Sequence, residues 1–159
     1  METYFKYQQG YIEIVGSYNG IREISFVEEK KHDQEPQCLE EAKRQIREYF
    51  EGTRRAFDLK LDFQVGTEFQ QKVWNALLNV YYGETKTYKD IAEEIGSPKA
   101  FRAVGMANNK NPIALVVPWH RIIGSNGKLV GFAGGLDLKR YLLELEGVLQ
   151  KPLLKINEL

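Results

Sequence analysis

Apolar positions fall first in two short runs rich in β-branched and aromatic residues, Tyr11-Ile12-Glu13-Ile14-Val15 and Ile21 to Val27. Asn19-Gly20 lies between them and tolerates the positive backbone angles of a tight turn, so a β-hairpin is expected. A polar stretch from Glu28 to Pro36 follows, after which Leu39, Ala42, Ile46, Tyr49 and Phe50 recur at helical spacing. Gly52 ends that helix. A short strand from Ala56 to Leu61 would complete a small sheet, and Asp62 to Gly66 leads onward.

The second part of the chain changes period. Thr67 and Gln70 have the spacing of a capping box, and Phe69, Val73, Trp74, Leu77 and Leu78 form an apolar helical face that Gly83 is expected to close. Thr87 and Asp90 repeat the capping spacing ahead of a short amphipathic helix, Tyr88 to Ile95, stopped by Gly96. Ser97-Pro98 is read as the start of the next helix, with serine as cap and proline in its first position. Helix, glycine-containing turn and helix over residues 87–108 have the layout of a helix-turn-helix, with Lys99 and Arg102 near the start of the second helix. Asn108-Asn109-Lys110-Asn111-Pro112 breaks the pattern, Ile113 to Val117 is an apolar run short enough to be buried, and glycines crowd positions 124–135 before a last helix, Leu136 to Gly147.

The pattern predicts an α/β (α+β) fold. A small N-terminal sheet-plus-helix domain over residues 1–62 precedes a mainly helical domain over 63–159 that holds the helix-turn-helix, a layout found in DNA-binding proteins and also in proteins that never touch DNA. The 159 residues, 43% hydrophobic and 28% charged, suffice for one ordinary core or two small ones. No run reaches membrane-span length and the N-terminus has no signal-peptide pattern, so a cytoplasmic protein with no membrane partner is expected. One cysteine, Cys38, and two histidines, His32 and His120, leave no disulfide framework and no zinc set, so neither metal nor cofactor is expected. The net charge is zero, yet nine bases face four acids between Lys86 and Arg140, a local +5 suited to a phosphate backbone or to a solvated surface.

Five strings in order resemble the O6-alkylguanine-DNA alkyltransferase family: Phe69-Gln70-Gln71-Lys72-Val73-Trp74; Tyr88; Ala100-Phe101-Arg102-Ala103-Val104-Gly105; Asn111-Pro112 before Pro118-Trp119-His120-Arg121; and Gly134-Gly135 with Leu143-Glu144-Leu145-Glu146-Gly147. The resemblance implies a helix-turn-helix that enters the minor groove and flips the target nucleotide. Arg102 would fill the vacated space, Tyr88 would press on the adjacent phosphate, and Lys99, Ala103 and Arg121 would complete the DNA-binding set. It places Tyr88, Asn111, Trp119, Ile122, Phe132 and Ala133 around a lesion pocket. Read without the family, Arg102 is a solvated helix residue, Tyr88 a staple between two helices, and Asn111 a residue that orders a turn.

The family's chemistry uses a cysteine whose proton passes to a histidine oriented by a glutamate. His120 and Glu146 match the last two positions, but Trp119 stands in place of the cysteine, and an indole is no nucleophile at neutral pH. Cys38 lies in no string resembling an active site and reads as a structural or exposed thiol. The chain therefore resembles the alkyltransferase-like proteins, which lack the cysteine, and Trp119, His120 and Glu146 are expected to be a vestigial relay without catalytic role. Trp119 either lines the pocket and stacks on the extruded base or fills the pocket. The expected function is non-enzymatic recognition of O6-alkylguanine in double-stranded DNA by a monomer, with nucleotide excision repair proteins as the implied partners. The rival readings are residual alkyl transfer to the protein and a helix-turn-helix regulator of undamaged DNA.

Overall fold

The computed structural model describes residues 1–127, 129 and 135–149. Three antiparallel strands, β1 (Glu2–Tyr7), β2 (Gly10–Ser17) and β3 (Gly20–Val27), form a sheet in sequence order. The first helix, α1 (Glu40–Glu51), packs on this sheet and ends at Gly52, whose φ of 82° closes the helix in the left-handed region. The hairpin is as expected, with a register shift at Val15/Gly16. A Cβ at Gly16 would lie 2.6 Å from the Gly20 carbonyl oxygen, so the close approach of the two strands at this bulge requires glycine. Of the Asn19-Gly20 pair only Gly20 has a positive φ.

Sequence reasoning did not anticipate β1. Its consecutive Thr3 and Tyr4 are both buried, which blurs the period-two signal. The strand expected at Ala56 to Leu61 is reduced to a single parallel bridge, Ile21 to Leu61. The reason lies on the free edge of β3, which two short segments share. Ile21 exchanges backbone bonds with Lys60 and Asp62, at 2.9 and 2.8 Å, and Ile24 does so with Pro112 and Ala114, both at 3.0 Å. The edge is thus covered in pieces, and the second piece is the run leading to Pro118-Trp119-His120-Arg121.

Helix α2 (Glu68–Leu77) starts with the predicted Thr67/Gln70 capping box. It stops at Leu77, not at Gly83, because Val80 turns back on Leu77; Gly83 belongs to a separate turn, Tyr81 to Glu84. Short β4 (Lys86–Thr87) precedes α3 (Tyr88–Glu94), which has its own Thr87/Asp90 capping box. Helix α4 (Phe101–Asn109) begins later than expected, since the Ala100 amide donates to the Ser97 carbonyl and makes Ser97-Pro98 part of the inter-helix turn. Trp74 of α2 is buried, and its indole N–H donates to the Ala107 carbonyl at 2.8 Å, tying α2 to α4. A single turn of 3-10 helix, Trp119–Arg121, leads into β5 (Ile122–Ile123), which pairs in parallel with β4. Last comes α5 (Leu136–Leu145).

The run between α4 and Trp119 is bent into a buried loop. Asn111 holds it from both ends, donating from Nδ2 to the Val117 carbonyl at 2.8 Å and accepting the Ile113 amide on Oδ1 at 2.9 Å. Within it Leu115, almost fully buried, has a φ of 72°, a region that costs a leucine strain unless its surroundings impose it. Asn111 thus plays the turn-ordering role read from sequence. Asn111→Ala removes both bonds and is expected to lower stability by about 1–3 kcal/mol, read as a fall in the midpoint of thermal or urea unfolding.

Candidate active site

Four residues far apart in sequence meet at one buried carboxylate. Glu146 follows α5, and its Oε2 lies 2.7 Å from His120 Nε2 and 3.0 Å from Arg121 Nη2, while its Oε1 accepts from Arg121 Nε at 2.8 Å. The third partner comes from α1: the Tyr49 hydroxyl donates to Oε2 at 2.6 Å. Arg121 also donates from Nη1 to the Val80 carbonyl at 2.7 Å, and Tyr82 lies with its ring centroid 5.9 Å from the same guanidinium. The carboxylate is wholly excluded from solvent.

Burial alone would push the Glu146 pKa up. Hydrogen bonds and charge from His120 and Arg121 outweigh it and hold the carboxyl down at about 2. Burial pulls His120 below its usual value of 6.5, against the opposing pull of Glu146. An ionised carboxylate can only accept, so the neutral imidazole carries its proton on Nε2 and leaves Nδ1 as a bare lone pair. Among the described residues Nδ1 has no hydrogen-bond partner. The pair is therefore a buried base, oriented by Glu146, next in sequence to position 119.

Trp119 itself is 1% exposed, edge-on to the His120 ring at a centroid distance of 5.7 Å. Its backbone is held by the Val117 carbonyl, 2.8 Å from its amide, and by Asn108, whose Nδ2 lies 3.4 Å from its carbonyl oxygen. The indole is thus packed as core and does not line an open surface, against the expectation that it would offer a stacking face to a base. Ile122, also assigned to the pocket, is fully buried in β5. Phe132 and Ala133 lie outside the described residues.

The helix-turn-helix set divides. Arg102 and Ala103 are exposed at the start of α4, as a docking helix requires, and Lys99, expected on the same helix, is exposed in the turn ahead of it because α4 begins at Phe101. Arg121 was assigned to the same set, but it is buried and spends its guanidinium on Glu146 and Val80, so it belongs to the interior. Tyr88 is half-buried. Its ring lies over Gly105 of α4, 3.7 Å from where a Cβ would be, so that α3 and α4 meet at this ring. The +5 segment is also less basic at its surface than its total suggests: Arg121 and Lys139 are interior and Lys86 pairs with Glu94 at 3.0 Å.

Three residues of the site were not anticipated. Tyr49 was read only as part of an apolar stripe, although a buried tyrosine on such a stripe needs a partner for its hydroxyl. Lys139 is fully buried on α5 and donates to the Ile122 carbonyl, and burial lowers its pKa to about 8. Asn108 was read only as part of a helix break. Cys38 is half-buried on the turn before α1, with Met1 Sδ 3.9 Å from its sulfur, in the N-terminal part of the chain. Among the described residues no group of His, Cys, Asp and Glu could hold a metal ion.

Comparison with known proteins places this geometry. The DNA binding domain of 6-O-methylguanine DNA methyltransferase matches residues 68–148, and the ribonuclease-like domain of the same family matches residues 1–63. The chain belongs to the O6-methylguanine-DNA methyltransferase family. Relatives include the methylated-DNA--protein-cysteine methyltransferases of Methanosarcina acetivorans, 51% identical over 87% of this chain and 92% of its own, and of Methanosarcina barkeri, 49% identical over 86% and 90%. A crystal structure of Mycobacterium tuberculosis OGT in complex with DNA superposes with a TM-score of 0.83 at 43% identity, covering 91% of each chain. These full-length relatives overturn the expected placement among non-enzymatic, cysteine-free lesion sensors: at about half identity over nearly their whole length, the kinship is with methyltransferases.

The methyltransferase-type carboxylate site has a pH signature. Glu146 is held below its ordinary 4.5, so its stabilising contribution is complete above 4.5 and is lost as pH falls toward about 2. His120, neutral when folded, takes up its proton more readily when unfolded, which erodes stability as pH drops below 6.5. Both act in the same direction. Glu146→Ala leaves Arg121 buried and unpaired and is expected to cost roughly 3–5 kcal/mol in urea unfolding at pH 7. Glu146→Gln should flatten the acid limb between pH 4.5 and 2.

Proposed function

We propose that this chain acts on O6-alkylguanine in duplex DNA with an apparatus built for alkyl transfer to residue 119. The observation that carries this reading is the preassembled base at His120, oriented by Glu146 and buried beside position 119. With a cysteine at residue 119 the transfer would be a displacement: its thiolate attacks the alkyl carbon, the carbon–O6 bond breaks, and the guanine anion that leaves takes up one proton from solvent. His120 Nδ1 would receive the thiol proton while Glu146, anchored by Arg121, stabilises the imidazolium that forms. Trp119 offers no such proton and no such sulfur, so the activity of the site turns on this one side chain.

DNA docking is assigned to the exposed start of α4 and the turn ahead of it, through Lys99, Arg102 and Ala103, with Tyr88 behind them on α3. The support is the exposure of these residues, the family's DNA binding domain over 68–148, and the Mycobacterium structure, which holds DNA. Arg102 would enter the duplex where the alkylated base swings out, the cost being least for a poorly paired base. Arg102→Ala is expected to weaken binding to an O6-methylguanine duplex about tenfold, ~1.4 kcal/mol, in fluorescence anisotropy at fixed salt.

Intact-mass analysis tests the transfer. Trp119→Cys, incubated with an O6-methylguanine duplex, is expected to gain one methyl group at residue 119, and the gain should vanish when His120→Ala is added. A methyl gain by the unsubstituted chain would place the acceptor elsewhere in it, and peptide mapping would name that residue. No gain by Trp119→Cys, folded and bound to the same duplex, would overturn the alkyl-transfer reading.

A further inference from the structure

The N-terminal part reaches the relay through one atom. Tyr49 lies on the buried face of α1, in sequence 97 positions from the residue it touches, and its hydroxyl lies 2.6 Å from Glu146 Oε2. That oxygen is the one facing His120 Nε2, at 2.7 Å. Two donors therefore compete for the same lone-pair region, and Arg121 Nη2 adds a third at 3.0 Å. Arg121 is anchored independently through Oε1 and the Val80 carbonyl, so its loss would unpair a charge. Tyr49 is different, being neutral and fixed by packing against Phe50, Phe57 and Tyr82, with ring centroids 5.1 to 6.1 Å away.

We propose that Tyr49 is a positioning residue for the His120–Glu146 pair, by which α1 sets how strongly the carboxylate holds the imidazole N–H. A hydroxyl bonded to Oε2 draws charge from that oxygen, so the carboxylate is a weaker acceptor for His120 and the imidazole a weaker base. Without the hydroxyl, Oε2 turns its charge on Nε2–H alone. Among the described residues the other ionisable groups facing the pair are Arg121, Tyr82 before β4 and Lys139 on α5, and none of these shares Tyr49's place on Oε2 as a neutral donor. The arrangement gives the N-terminal part a chemical reason to be present beside a DNA-docking part. Only the kinetic arm of the test rests on the alkyl-transfer reading.

Tyr49→Phe is the informative variant, since it keeps the ring and its aromatic contacts and deletes one oxygen. The first measurement is the ring 15N and Nε2–H spectrum of His120 at pH 7.5, assigned against His32→Gln, in the chain with Trp119 present. The expected result is a downfield move of the Nε2–H proton, as the bond to Glu146 shortens, in a chain that still unfolds cooperatively but at a lower thermal midpoint. An unmoved His120 N–H overturns the proposal, because a tyrosine that merely packs leaves that resonance in place. The second measurement compares Trp119→Cys with Trp119→Cys/Tyr49→Phe in single-turnover methyl transfer across pH 6–9. The pH–rate profile is expected to shift by about half a unit or more while affinity for the duplex stays within about twofold. A coincident profile counts against Tyr49. If Trp119→Cys transfers nothing, the alkyl-transfer reading fails, and the His120 spectrum still decides the role of Tyr49.

Discussion

The fold depends on keeping one carboxylate charged in the dark of the protein. Moving an isolated carboxylate from water into a medium of low polarity is prohibitive, so Glu146 is tolerable only because donors converge on it from two other places in the chain. Tyr49 comes from α1, His120 and Arg121 from the turn ahead of β5, and Glu146 itself from the end of α5. Each of those elements is held elsewhere by ordinary packing, and the carboxylate sets how they must meet. An arginine with all three nitrogens committed and a tyrosine fixed by aromatic neighbours leave the imidazole, among the described partners, as the one able to change its proton state. The same constraint that stabilises the junction therefore prepares a base.

A second constraint brings position 119 to that base. The segment ahead of it cannot run as a strand, because Asn111 closes it into a loop and Leu115 accepts an unfavourable backbone conformation within it. Its first residues dock on the edge of β3, so the N-terminal sheet holds the loop as a template. Strain at Leu115 persists because both ends are fixed, by β3 on one side and by the carboxylate cluster on the other. Trp119 sits where these restraints meet, which explains why its backbone is held although its side chain takes no part in the relay.

Much of the fold was legible because it rests on local rules. The two capping boxes, the β2–β3 hairpin and the glycine after α1 follow from side chains a few residues apart. Failures came where a distant partner decided. Ala56 to Leu61 has strand character, but β3 had only part of its edge to give. Ser97-Pro98 looked like a helix start, and the exit from α3 used it as a turn. For the site, His120 and Glu146 could be named from sequence through a family resemblance, whereas Tyr49 and Lys139 are chemically informative only once their burial is known. Arg121 shows the converse: a basic residue in a basic segment looks like a phosphate contact until a buried carboxylate claims it.

Position 119 stands apart from the rest of the chain. A missing nucleophile is a local fact, and inferring a different class of protein from it assumes that the remainder has drifted with it. Here the remainder has not. The relay is hydrogen-bonded, the loop is strained into place, and the relatives align along nearly their whole length. A buried indole, on the other hand, adds packing that a thiol cannot, since truncating a core tryptophan commonly costs about 3–5 kcal/mol. Sites that keep a reactive group in a preformed cavity tend to give up stability for function. Trp119 is packed beside His120 as part of the core, so the kinship with methyltransferases rests on the relay, the loop and the fold and not on this side chain.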